Sequence, residues 1–151
     1  SVKKITIEDA YEIYLLRANL EMTALRQFDC QFPAEDLAAM RGLLDEMLQV
    51  PSGDLLAIVE NDNRFHRIIV QRAGLPRLLK FWDDLNYGSL IAGVKSGPYH
   101  GDLAVRQNVI HTELYHALAS RDTEAACQAV YDHYMKPLEA LREAEKSTAA
   151  R

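Results

Sequence analysis

Leu55, Val59, Asp62, His66, Ile69 and Ala73 follow one another at steps of four, three, four, three and four residues. A helix through this segment therefore carries all six side chains on one face. Asp62 and His66 point where the apolar side chains point, and a carboxylate turned toward a core is costly unless it is paired or bound to a cation. The row predicts a buried polar site as well as a helix, and a metal ion is the simplest occupant.

Two further histidines lie on apolar helical faces. His111 shares a face with Leu114 and Leu118, and His133 falls in the row Ala126, Val130, His133, Pro137, Leu141. Taken singly, a buried histidine is more often a hydrogen-bonded core residue than a ligand. Asp62, His66, His111 and His133 together offer one oxygen and three nitrogens, which suits zinc or nickel, with iron or manganese as alternatives, better than calcium or magnesium. His116 is about 140° around the helix from His111, and His100 sits in a glycine-rich stretch, so neither joins the set.

The rest of the chain reads as helices separated by breakers. Thr6 and Asp9 form a capping box for a first helix running to about Phe28, with Tyr11, Tyr14, Leu15, Ala18, Met22 and Leu25 apolar. Arg17 and Glu21 are one turn apart on it, either an exposed ion pair or part of a pocket. Pro33 suits the first turn of a second helix with the stripe Leu37, Met40, Leu44, Met47 and Leu48, which Pro51-Ser52-Gly53 ends. The Asp62 helix spans about Asp54 to Ala73, with Gly74 as a left-handed cap and Pro76 opening a fourth helix that blurs at Gly88 and Gly93. After a loop at Ser96-Gly97-Pro98, a fifth helix runs from about Gly101 to Ser120, and Asp122 caps a sixth. Pro137 either bends that sixth helix or precedes its end, and the tail from Ser147 is expected to fray.

The length of 151 residues fits one domain with its own core, and no alternation of strand type occurs. The net charge of −5, without a run of as many as about five like charges, excludes a basic footprint for nucleic acid on this chain. Cys30 and Cys127 lack CxxC spacing, which argues against a disulfide framework and a cysteine metal site and points to a cytoplasmic protein. No apolar run is long enough to span a membrane, and no signal-peptide core opens the chain.

Several segments in this order resemble the FCD domain, the effector domain of FadR-type regulators in the GntR superfamily. They are Leu16-Arg17-Ala18-Asn19-Leu20-Glu21, Asp62 to His66 with Ala73-Gly74, His111 ahead of Ala117-Leu118, and Arg121-Asp122 leading to His133. The resemblance implies an all-α antiparallel bundle of about six helices, as in the VanR-like subgroup, around a central metal held by Asp62, His66, His111 and His133. It also implies a small carboxylate effector, with Arg17 on a position that often faces it. Leu75 departs from the family's usual Asn after the glycine, and Leu25-Arg26 replaces the usual Ala-Ala pair. Nothing similar to the family's winged helix precedes Val2, so the expectation is a single FCD-like domain over 1–151, excised or stand-alone, with DNA contacted only through a separate N-terminal domain.

Three functions compete at this stage. The first is a ligand-sensing regulatory domain, whose output is a binding equilibrium rather than turnover. The second is a metallohydrolase or other metalloenzyme, since three histidines and an aspartate with open positions can activate water. No additional carboxylate on the same faces offers itself as a general base. The third is a plain helical bundle with satisfied histidines. Tyr11, Tyr14, Phe81 and Trp82 exceed what one core stripe needs, so a homodimer is expected.

Overall fold

A computed structural model describes residues 6–51, 53–85 and 102–150. Among them are six helices and no strand: α1 (Ile7–Gln27), α2 (Ala34–Gln49), α3 (Leu55–Arg72), α4 (Pro76–Asp84), α5 (Leu103–Ala119) and α6 (Thr123–Ala149). The starts are chemical. Thr6 and Asp9 cap each other's backbone amides at α1, and Asp54, Asp102 and Asp122 each accept a hydrogen bond from the first turn of α3, α5 and α6. Gly74 follows α3 at a φ of 66°, the left-handed conformation its lack of a Cβ permits.

α1 lies antiparallel along α6. Arg26 near the end of α1 meets Glu124 at the start of α6, Arg17 and Glu21 meet Tyr134 midway, and Arg142 stacks over Tyr11 at the far end. α2 packs on α5 and α3, and α3 also packs on α1. Two polar stitches fix the α2 contacts: Asn108 donates to the Leu44 carbonyl at 2.8 Å, and Asn61 to the Leu43 carbonyl at 3.2 Å. The core between the helices is filled by Leu25, Met40, Phe65, Ile69, Trp82, Leu118, Tyr134, Met135 and Leu138. Burying side chains of this size stabilises the fold by roughly 1.5–3 kcal/mol each before chain entropy is subtracted.

Several sequence expectations need correction. Leu48 is 49% exposed rather than in the core stripe, because the buried face of α2 runs through Met40, Leu43, Leu44 and Met47 and Leu48 lies about 100° around the helix from Met47. Pro33 is the cap preceding α2 rather than a residue of its first turn. The tail does not fray at Ser147, since α6 continues as one helix through Pro137 to Ala149. Two of the four aromatics assigned to a dimer face, Tyr14 and Trp82, belong to the core, whereas Phe81 is 61% exposed. The expectations at Gly88, Gly93, Ser96-Gly97-Pro98, His100 and Gly101 lie outside the described residues.

Candidate metal centre

α3 contributes Asp62 and His66 from adjacent turns, α5 contributes His111, and α6 contributes His133. One ligand atom from each of the four side chains lies within 4.8 Å of all the others. Asp62, His66 and His111 are buried, and His133 is half-buried. The heptad-like row on α3 brings its pair inward because Ile58, Phe65, Ile69 and Val70 anchor the same helix in the core.

Hydrogen bonds behind the rings decide which nitrogens face inward. His111 Nδ1 lies 2.8 Å from the Gln107 carbonyl oxygen, which can only accept, so Nδ1 carries a proton and Nε2 is the nitrogen turned inward. That Nε2 lies 3.0 Å from Asp62 Oδ1. His66 repeats the arrangement, with Nδ1 at 2.7 Å from Glu21 Oε1 and Nε2 at 3.2 Å from both Asp62 Oδ1 and His133 Nε2. Phe65 closes the floor, its ring centroid 5.2 Å from that of His111.

Lone pairs that converge in a buried space require positive charge, supplied by extra protons or by a cation. Burial, the largest single influence, pushes the His66 imidazole toward neutrality, but the Glu21 charge, the hydrogen bonds to Asp62 and Glu21 and the Asp62 charge together outweigh it, so its pKa is raised to about 9. A cation would take the place of those protons. Held about 2.1 Å from each donor, it keeps neighbouring ligand atoms about 3.0 Å apart at a right angle and about 3.4 Å apart at a tetrahedral one. Three of the six pairs of ligand atoms, at 3.0 to 3.2 Å, fall in that interval, and all six lie within 4.8 Å. The residues therefore fit a divalent transition metal, and three imidazole donors disfavour calcium or magnesium.

Residues 12–136 match the FCD domain. The chain belongs to the FCD domain family. FCD domains are effector-binding regulatory domains of GntR-family proteins. A comparison with curated proteins finds no match. No helix among the described residues of this FCD domain is long and apolar enough to cross a membrane.

Arg17 and Glu21 are not an exposed pair in this FCD domain. They are 1% and 0% exposed. The Arg17 guanidinium lies 3.8 Å over the Trp82 ring, donates to Asn63 Oδ1 at 3.0 Å, and reaches the Tyr134 hydroxyl at 3.4 Å. Glu21 Oε2 accepts from Trp82 Nε1 at 3.2 Å and from the Tyr134 hydroxyl. Burial first, and then the Glu21 charge, keep the Tyr134 hydroxyl protonated and able to donate. Asn63, Trp82 and Tyr134 escaped the sequence reading as site residues, and Glu21 entered it only as the partner of Arg17 in an exposed pair or a pocket. For Glu21 a signal existed, since Tyr14, Ala18, Glu21 and Leu25 form a row like that of Asp62.

His133 and Pro137 border a cavity of about 320 Å³ between α5 and α6, whose wall includes Arg106, Glu113, Asp132 and Lys136. Pro137 has no amide hydrogen to offer the His133 carbonyl, the usual partner four residues back. His116, by contrast, is exposed on the far side of α5, where its Tyr115 neighbour is 5.7 Å away between ring centroids.

Proposed function

We propose that this FCD domain is the sensor of a FadR- or VanR-type GntR-family transcription regulator and binds a small carboxylate at a divalent metal held by Asp62, His66, His111 and His133. The convergence of four ligand atoms from three helices within 4.8 Å carries this reading. Zinc or nickel suits the donor set first, and iron or manganese next. Bound there, the metal supplies Lewis acidity and coordination positions beyond the four protein ligands, which a carboxylate can fill.

Charge supports an anionic effector. Asp62 and Glu21 are offset by Arg17 and a divalent cation, which leaves the buried cluster net positive and favours a ligand that brings negative charge. Arg17 contributes to this field from behind Tyr134 and is the proposed second anchor for the effector. Glu21, the carboxylate adjoining the ligands, is engaged by His66, Trp82 and Tyr134, so it is poorly placed as a general base for hydrolysis. The reading includes a cytoplasmic homodimer that meets DNA through a separate domain. Phe81 and Leu16, 61% and 45% exposed, are apolar side chains open to a partner. Light scattering at micromolar concentration is expected to give about twice the 17.1 kDa chain mass, and a mass near one chain removes the dimer from the proposal.

Calorimetric titration of citrate, malate and lactate tests the effector. Binding is expected in metal-loaded protein and is expected to disappear in protein stripped of metal. An Arg17→Ala variant that still folds is expected to bind about 30-fold more weakly, the equivalent of about 2 kcal/mol for one lost charged contact. Equal affinity in all three preparations would remove the metal from the effector site.

A further inference from the structure

The proposed cation touches α3, α5 and α6, yet a heavily bonded buried carboxylate stands one step behind it on α1. Glu21 is fully buried and accepts from three side chains: His66 Nδ1, Trp82 Nε1 and the Tyr134 hydroxyl. Arg17 engages two of those three donors on their other side, through its contact with the Tyr134 hydroxyl and its stacking on Trp82. The outer network thus holds one buried anion and one buried cation, joined through a phenol and an indole.

We infer that Glu21 is a positioning residue for the metal site: it fixes the His66 ring with Nε2 facing Asp62 and His133, while Arg17 balances the charge this requires. The inference rests on the metal reading above. A carboxylate that accepts from the rear N–H of a ligating imidazole sets its tautomer, restrains its rotation and makes the front nitrogen a stronger donor. Behind His111 the corresponding acceptor is a neutral carbonyl, from Gln107. Of these two imidazoles, His66 is the one backed by an ionised group. A second consequence is geometric, because Glu21 and Arg17 bring α1 into a site whose direct ligands come from the other helices.

Glu21→Gln tests the inference, since the amide oxygen can still accept from Nδ1 but carries no charge. Zinc affinity, measured by competition with a chromogenic chelator, is expected to fall about 10- to 100-fold. Glu21→Gln alone leaves a buried Arg17 unbalanced, which destabilises the fold, so the double variant Arg17→Met, Glu21→Gln, which removes both charges, is measured with it. That variant is expected to keep wild-type helicity by circular dichroism and to remain 10- to 100-fold weaker for zinc. Its cobalt-loaded form is expected to show shifted visible ligand-field bands, a readout that a purely structural role for Glu21 would not move. Wild-type zinc affinity and an unchanged cobalt spectrum in the folded double variant overturn the positioning role while leaving the metal site standing. A wild-type protein that binds neither zinc nor cobalt overturns both.

Discussion

Protein purified without chelator or a metal-affinity tag is expected to contain close to one equivalent of transition metal per chain, and His133→Ala is expected to lose nearly all of it. His133 faces His66 Nε2 at 3.2 Å and is the ligand from α6, so truncating it opens the donor set on the side bordered by the cavity. The fall in affinity is expected to exceed the roughly 10- to 100-fold that follows removal of a partner behind a ligand. His116→Ala is the control, since that ring is exposed on another face of α5. Elemental analysis after dialysis reads both. Wild-type protein that holds less than about a tenth of an equivalent, with no recovery on adding zinc or nickel, would exclude the metal centre, because a buried site of this kind binds its ion as part of the folded state.

Arg17→Ala is expected to produce a large loss of stability. Removing the guanidinium strips the face of Trp82, removes the hydrogen bonds it donates to Asn63 Oδ1 and the Tyr134 hydroxyl, and leaves Glu21 buried without its balancing charge. Breaking a buried charged network in this way costs about 3 to 5 kcal/mol. For a domain of this size that corresponds to a drop in Tm on the order of 10 °C. Differential scanning calorimetry on protein matched for metal content measures it. A loss of no more than about 0.5 kcal/mol is what an exposed ion pair on one helix would give, and would contradict the buried network.

Arg17 and Glu21 also show where the sequence could be read and where it could not. Asp62 and His66 stood out because a polar pair broke an otherwise apolar row, and His111 and His133 because each sat on an apolar face. Periodicity along a single helix carries that information, and α3, α5 and α6 take the expected course. Arg17 and Glu21 have the spacing of a favourable helix-surface pair, so local chemistry offers a cheap explanation that hides a costly one. Only the approach of Trp82 and Tyr134, 61 and 113 positions away from Glu21, makes the pair buried. Trp82 misled for the same reason: as a residue on a short helix it looked like surplus apolar surface, whereas its indole N–H is turned to a carboxylate on α1. The length of α6 past Pro137 could not be read either, because the ring's effect on a helix depends on whether Tyr134, Met135 and Leu138 are locked in the core.

The order of the ligands along the chain has an effect that would appear only when the protein unfolds. Asp62, His66, His111 and His133 are drawn from three helices, and the gaps between helices are about 50 and about 20 residues, so an ion gripping all of them ties two loops in a chain without disulfides. By the entropy expected for cross-links closing loops of those lengths, such a clasp would disfavour the open chain by about 3 to 4 kcal/mol per loop, as long as the ion stays attached to it. Releasing the ion would then slacken the tether between the second half of the chain and α3, and that half would be the first to exchange its amide hydrogens with solvent.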